Sequence, residues 1–363
     1  MTDLQGYVPP ELPLGFDPET KPVLKKLAAA RSALAELKGA ASSVPNEGIL
    51  LNTLSLQEAK DSSAIENIIT THDDLYRSDA VAARFASPAA KEVYSYASAL
   101  REGFQAVRRT GLITSNDVLS IQATLEENQA GFRKLPGTTL KNDRTGEVVF
   151  TPPQSHNEIV GLMRNLEAFM NDDELSDLDP LVKMAIMHHQ FETIHPFYDG
   201  NGRTGRILNI LYIVRSGLLD YPVLYLSRYV NQNKSDYYRL LQAVRDTGAW
   251  EEWILWMLEG VEQTAGQTTR LVRRIRTLMQ ESKIKMRSEL PRIYSQELLN
   301  NIFSHPYSKI AFVEREVGVS RVTATRYLEE LTRIGMMAKV KLGRDNYYIN
   351  RSLMDLLGNA QTI

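Results

Sequence analysis

Apolar residues return every three to four positions along most of this chain, which is the spacing of helices buried on one side. Leu24, Leu27, Ala28, Ala30, Leu34 and Leu37 form one such stripe between Pro22 and Leu37. Ala40–Asn46 then reads as a loop. Leu56, Ala59, Ile65 and Ile68–Ile69 form a second stripe and predict a helix over about 54–69. Residues 74–110, 115–130 and 155–170 read as further helices, with Thr114 to Asp117 offering a cap for the second of these. Leu181–Phe191 and Arg206–Val214 are apolar enough to be buried helices, the latter closed by Gly217. Trp250, Trp253, Ile254, Trp256 and Met257 read as core. Gly260–Met286 continues as a long helix whose Arg270, Arg273, Arg274 and Arg276 form a solvated face.

The helical spacing fails in three places. Residues 1–22 hold Pro9, Pro10, Pro13, Pro18 and Pro22 and predict an extended strap over the body of the protein. Residues 131–153 hold two short extended runs around Asn142-Asp143-Arg144-Thr145-Gly146, a hairpin signal. Past helices at Ser295–Ser304, Lys309–Val317 and Ser320–Ile334, Met336–Asn350 predicts a second hairpin turning at Gly343. The fold class is therefore mostly α. The boundaries predict an N-terminal helical module at 1–110, a core at 111–262, a helical linker at 263–290 and a C-terminal domain at 291–363.

Composition narrows the function classes. Cysteine is absent, which excludes disulfides, thiolate metal sites and a cysteine nucleophile. No apolar run reaches the roughly eighteen residues that a membrane-spanning helix needs. Met1–Gly6 lacks a basic stretch followed by an apolar one, so no signal peptide is expected and the cytoplasm is the expected location. From Gly266 onward there are 17 Lys+Arg against 9 Asp+Glu, a charge of +8, whereas the whole chain is −2, so the first 265 residues carry −10. Such asymmetry points the C-terminal part toward an acidic partner.

The candidate chemistry lies in His195-Pro196-Phe197-Tyr198-Asp199-Gly200-Asn201-Gly202-Arg203-Thr204-Gly205-Arg206, between two buried helices. Gly200 and Gly202 allow backbone N–H groups to approach a ligand closely. The following helix N-terminus favours an anion. Arg203 and Arg206, three apart, share a helical face and suit two phosphates. Asp199 is the hard oxygen ligand that a phosphate-bound Mg²⁺ prefers, and His195 is suited to take a proton near neutral pH. Gly200-x-Gly202-x-x-Gly205 imitates a dinucleotide fingerprint, but that fingerprint follows a strand and this one follows a helix. No Gly-Lys-Ser/Thr phosphate loop is present. His188 and His189, being adjacent, point apart and read as packing residues rather than metal ligands.

The stretch 195–206 resembles the signature of the Fic family (filamentation induced by cAMP), His-x-Phe-x-Asp/Glu-Gly-Asn-Gly-Arg-x-x-Arg, with every fixed position present. The resemblance implies a Fic-type helical core with a small β-hairpin flap and transfer of AMP from ATP to a hydroxyl of a target protein. It makes His195 the base and Asp199 the Mg²⁺ ligand. Asn201 and the Gly200–Gly202 backbone become the anion hole, and Arg203 and Arg206 the phosphate ligands. Ser62-x-x-x-Glu66-Asn67 resembles the family's inhibitory motif, which implies that Glu66 pairs with Arg206 where the γ-phosphate of ATP would sit, braced by Ser62. The 137–150 hairpin would be the flap along which an extended target segment pairs. Tyr229 and Asn231 fall where the family often lines its base pocket; core packing is the other reading. The C-terminal segment resembles a winged helix-turn-helix. Arg321, Thr323, Thr325 and Arg326 on its third helix and Lys339, Lys341 and Arg344 on its wing are candidates for DNA contact, with a protein partner as the alternative. Removal of AMP at the same site, a nucleotide-sensing DNA-binding regulator and a donor such as UTP are the rival readings. The target, self-modification and a homodimer stay open, and no membrane partner is expected.

Overall fold

A computed structural model describes residues 6–78, 85–141, 145–342 and 345–358. The hairpin turn at 142–144, the wing turn at 343–344 with Arg344, and residues 1–5 of the proline-rich opening lie outside the described residues.

The chain opens as the expected strap, and Leu12 is fixed by a reciprocal pair of 2.8 Å hydrogen bonds with the Asn165 amide. Helix α1 (Lys21–Ser42) follows, capped by Thr20 and carrying Pro22 in its first turn. It runs on through Ala40-Ala41-Ser42, past the expected start of the loop, because Ala40 and Ala41 are buried. Helix α2 (Glu47–Ile65) starts seven residues earlier than expected and stops at Ile65, so Glu66 is its C-cap. Its weak amphipathic pattern has a cause: polar and apolar faces are both buried, Gln57, Glu58, Asp61 and Ser62 along with Ile49, Leu50 and Leu54.

The helix expected over 74–110 is divided. Helix α3 (His72–Arg77) is short, and α4 (Pro88–Thr110) begins afresh with Ser87 as cap and Pro88 at its first position. Helix α5 (Ser115–Glu126) has the capping box between Thr114 and Asp117. Strands β1 (Leu140–Lys141) and β2 (Val148–Phe150) form a small antiparallel ribbon. Next come α6 (His156–Asn171), α7 (Pro180–Ile194), α8 (Asn201–Arg215), α9 (Leu226–Gln232) and α10 (Lys234–Thr247). Helices α7 and α8 are buried on every side, enclosed by α2, α4, α5, α6 and α11 (Trp250–Glu289).

Helix α11 is about 60 Å long at 1.5 Å per residue. The stretch predicted as a linker is its second half. Arg270, Arg273, Arg274 and Arg276 are exposed as expected, but Thr264, Thr268, Leu271, Val272 and Ile275 are buried, and the helix packs along α1. Trp253 is fully buried on it, donating through its indole N–H to the Ala185 carbonyl at 2.8 Å and stacking on His188 at 6.0 Å.

The C-terminal part holds α12 (Gln296–Ser304), β3 (Tyr307–Ser308), α13 (Ile310–Val317), α14 (Arg321–Arg333), β4 (Ala338–Leu342), β5 (Asp345–Ile349) and α15 (Arg351–Gly358). The strands form an antiparallel sheet in the order β3-β5-β4. Helix α12 packs on α2 and α15 on α11, so the seam with the body runs along the helix that ends at Glu66. No helix among the described residues is long and apolar enough to cross a membrane.

Trp253→Ala should lower the unfolding free energy by about 3–5 kcal/mol, through lost burial and the cavity left behind. Urea unfolding of both proteins measures it, and a change under about 1 kcal/mol would show that α7 and α11 do not share one core.

Candidate active site

The site is built at the junction of α7 and α8. His195 ends α7 with φ +48°, the left-handed region that an L residue adopts only when its surroundings hold it there. Arg133 does the holding. Its side chain is buried, and its guanidinium donates to the carbonyls of His195 (2.7 Å), Pro153 (2.6 Å) and Ile194 (3.3 Å), while its backbone N–H donates to the Pro196 carbonyl at 2.8 Å. Phe197 is clasped between Phe132 and Phe191. Tyr198 Oη accepts from the N–H groups of Lys134 and Leu135 at 3.0 Å.

Asn201 closes the loop. Its Oδ1 accepts from Phe197 N–H and its Nδ2 donates to the Phe197 carbonyl, both at 2.8 Å. The amide is thus spent within the loop, so the loop's offer to an anion is its backbone. Gly200, with φ +78°, is the N-cap of α8, and no side chain caps that terminus. The N–H groups of the first turn therefore face outward without intrahelical partners. Asp199 is exposed, one carboxylate oxygen accepting from Gly200 N–H at 2.7 Å. A single exposed carboxylate beside an open helix N-terminus fits an ion that takes the rest of its ligands from phosphates and water, as Mg²⁺ does.

Both loop arginines are buried and both already hold carboxylates. Arg203 donates to Glu126 at 2.7 Å and to Glu92 at 3.2 Å. Arg206 donates to Ser62 Oγ (2.8 Å), the Ser62 carbonyl (3.0 Å) and Glu66 Oε1 (2.8 Å). Glu66 lies directly over Gly202, where a Cβ would come within 2.5 Å of its Oε1. Burial alone would raise the Glu66 carboxyl, but the Arg206 charge and hydrogen bond outweigh it, with Arg203 and Lys234 adding, so it lies below its ordinary range. Arg206 is raised in turn: burial works against its charge, and Glu66 overrides that. The expected trio of Ser62, Glu66 and Arg206 therefore meets in space across about 140 residues of chain.

A cavity of about 590 Å³ opens beside His195, lined among others by Glu66, Phe150, Glu192, Lys234, Tyr238 and Arg245. Burial, then the charges of Arg133 and Arg245, lower the His195 imidazole to about 4, which keeps it neutral at pH 7. Glu192 is pushed up to about 7 by burial, only partly offset by Arg206. The structure does not place Tyr229 on this cavity. Its ring packs on Trp256 at 4.9 Å and lies against Gly260, the core alternative weighed for it, and Asn231 is not part of the cavity wall either. Tyr238, seven residues on from Asn231, supplies the aromatic wall instead. His188 and His189 lie in the core, bonded to Tyr237 Oη at 2.9 Å and the Leu241 carbonyl at 3.1 Å.

Sequence reasoning missed Arg133, Glu126, Glu192 and Arg245. Arg133, Glu126 and Arg245 gain their roles from partners far away in the chain, and nothing local distinguishes them from surface charges; Glu192 lies on buried α7 itself and faces the cavity beside His195.

The histidine should reveal the closed loop by its titration. Folded, His195 protonates near 4; unfolded, it does so near its ordinary 6.5. Between those values only the unfolded chain takes the proton, so this group costs stability as pH falls from about 6.5 to about 4, and the loss levels off below that. NMR titration of the ring, assigned with His195→Ala, should give a midpoint near 4. An ordinary midpoint would mean that the Arg133 clasp is open in solution.

Residues 24–105 match the Fic/DOC family N-terminal domain, residues 112–213 the Fic/DOC family, and residues 278–353 the protein adenylyltransferase SoFic-like C-terminal domain. A protein adenylyltransferase Fic of Drosophila erecta is 33% identical over 94 residues, covering 26% of this chain and 18% of the relative. A protein adenylyltransferase of Caenorhabditis elegans is 32% identical over 109 residues, covering 29% of this chain and 21% of the relative. The matches thus span about a fifth of the length of these relatives. A Fic family protein from Desulfovibrio desulfuricans shares the fold over 94% of this chain and 98% of its own, with a TM-score of 0.56 at 18% identity. With the loop complete and three successive family domains along its length, the chain belongs to the Fic/DOC family.

Proposed function

We propose that this protein transfers AMP from Mg²⁺-bound ATP to a hydroxyl side chain of a protein, and that Glu66 holds this activity down. The observation that carries the reading is the Glu66 carboxylate bonded to Arg206 over Gly202, at the mouth of an uncapped helix N-terminus. A carboxylate there occupies donors that suit a phosphate.

The chemistry follows from the positions. With Glu66 withdrawn, Arg206 binds the outer phosphates, Arg203 joins it by turning donors from Glu126 and Glu92, and the first-turn N–H groups of α8 take oxygens of the triphosphate. Asp199 is the residue that would hold Mg²⁺, which supplies charge neutralisation to the phosphates. The bound triphosphate brings negative charge to His195 and raises its proton affinity from the low value that Arg133 and Arg245 impose. His195 then takes the proton of the acceptor hydroxyl as its oxygen bonds to the α-phosphorus. The bond to the bridging oxygen breaks, and pyrophosphate leaves with the electron pair. Positioning and electrostatics supply most of the acceleration.

In this reading Lys234, Tyr238 and Arg245 wall the nucleoside end in place of Tyr229 and Asn231. The target segment pairs along β2, where Val148 and Val149 stand half-exposed beside the cavity. The order of α12 to β5 fits a winged helix, and its surface carries features of both kinds of partner, protein and DNA. Lys339 is paired with Glu329 at 2.5 Å and Arg333 with Glu330 at 2.8 Å, while Val322 on α14 is 81% exposed. The exposed apolar side chain suits a protein partner, whereas Arg321 and Arg326, exposed on the same helix, suit a phosphate backbone.

ATP labelled at the α-phosphate, with Mg²⁺ and cell lysate, tests the chemistry. Glu66→Gly should raise protein-bound label at least tenfold over wild type, and Glu66→Gly/His195→Ala should abolish it. Absence of label in Glu66→Gly while ATP binds would overturn transfer from ATP and leave removal of AMP, another donor such as UTP, or a sensing role.

A further inference from the structure

Glu66 is held from two sides. Toward the site it has Arg206. Away from the site the chain runs through residues 67–71 into α3, and α3 is gripped by the C-terminal domain. Tyr307 Oη on β3 donates to the Asp73 carboxylate. Tyr347 Oη on β5 donates to the Arg77 carbonyl at 3.0 Å, at the other end of the same helix. The Tyr307 ring stacks on Tyr76 at 6.4 Å with 12° between planes. His72 lies against Gly358 at the end of α15. Elements from three separate stretches of the C-terminal domain thus meet six residues of the body.

The grip continues into α2. Tyr76 Oη accepts from Gln57 Nε2 at 3.1 Å, and α12 packs on α2 directly. One turn on from Gln57, Asp61 lies 3.7 Å from Arg228, and Ser62 carries the Arg206 bonds. The seam is not a closed core. A cleft of about 300 Å³ remains in it, with Leu56, Tyr76 and Tyr94 on one side and His305, Tyr307 and Phe312 on the other. Polar contacts bordering a cleft can separate without tearing a packed interior, whereas α2 itself is buried all round. The backbone between the two anchors adds its own constraint: Asn67 adopts φ +62°, which turns the chain sharply from α2 toward α3.

We propose that the C-terminal domain is the regulator of the Glu66 brake, acting through α3: docked, it fixes the 66–72 connection and keeps Glu66 on Arg206, and whatever loosens Tyr307 and Tyr347 frees the nucleotide site. The inference rests on the reading of Glu66 as a brake. A partner that binds the C-terminal domain better when it is undocked would act as an activator from a distance. By reciprocity, ATP that displaces Glu66 weakens the docking by the same factor.

The test reads nucleotide binding rather than transfer. Affinity for a non-hydrolysable ATP analogue with Mg²⁺ is measured by calorimetry for wild type, Glu66→Gly, Tyr307→Phe/Tyr347→Phe, Asp73→Asn, and the tyrosine pair combined with Glu66→Gly. The tyrosine pair and Asp73→Asn should each tighten binding about fivefold or more, toward the value of Glu66→Gly, and the tyrosine pair should add nothing once Glu66 is gone. Unchanged affinity in both would overturn the inference, as would an equal gain on the Glu66→Gly background, since the effect would then bypass Glu66. If Glu66→Gly itself binds no better than wild type, the brake reading falls rather than the coupling alone.

Discussion

Arg206 sets the terms for the rest of the site. Its side chain is 4% exposed, it stays charged, and it lies on the first turns of a helix whose N-terminus is uncapped. A buried cation of this kind must have an anion beside it, because leaving one unpaired costs several kcal/mol. The protein supplies that anion from its own chain. Ser62 takes Nε and one Nη2 contact, and Glu66 takes the other. Helix α2 therefore has to lie where it does, and its polar residues have to be buried to bring it there. Glu58 shows the cost: it is buried between Ser227 and Tyr96 and pushed up to about 7 by burial. The helix is fixed against the body by polar bonds that match one geometry, which gives Glu66 a defined position.

The loop at 195–206 was legible because its chemistry is local. Gly200 and Gly202, an acid, a histidine and two arginines within twelve residues state their use before any fold is known, and the flanking apolar runs made α7 and α8 legible as well. Glu66 was legible only through resemblance; by itself it ends an ordinary helix. The residues that shape the loop were not legible. Arg133 acts on carbonyls some sixty positions away, at Ile194 and His195, and Glu126 on Arg203 across 77 positions. Periodicity records which face of a helix is buried, and it carries no record of which distant backbone a buried guanidinium will serve. Tyr229 and Tyr238 show the same limit. Both sit on polar helical surfaces in the sequence, and only the packing of α9 and α10 on α11 decides that the first is core and the second lines the cavity.

Element ends failed where tertiary contact overrode local preference. Ala40 and Ala41 have small side chains and weak signals, and they continue α1 because α11 covers α1 along its length. The segment from Gly260 to Met286 reads as a solvated connector because its arginines are conspicuous, while the threonines and small residues that bury its other face are not. Thr264 and Thr268 satisfy their hydroxyls on their own helix, at 2.6 and 2.7 Å, and so can be buried without partners elsewhere. What results is one continuous helix that touches α7 of the candidate site at its start and α12 and α15 at its end.

That continuity bears on how a modest force could move Glu66. Hydrogen bonds to charged groups contribute about 1.5–3 kcal/mol each. Glu66 makes one such bond to Arg206, and its side chain is still 36% exposed, so solvent weakens the pairing further. A phosphate offers more acceptor oxygens and more charge to the same donors than a carboxylate does. If Glu66 acts as proposed, its position on Arg206 would owe less to the strength of that one pair than to the elements that hold the surrounding backbone. Ser62 and Asp61 act on the helix itself, and the tyrosines of the C-terminal domain act on α3. On the proposed mechanism, a brake assembled from several weak holds would be released by removing any one whose contribution matches the small margin between carboxylate and phosphate, which would give a distant domain leverage over chemistry it does not touch.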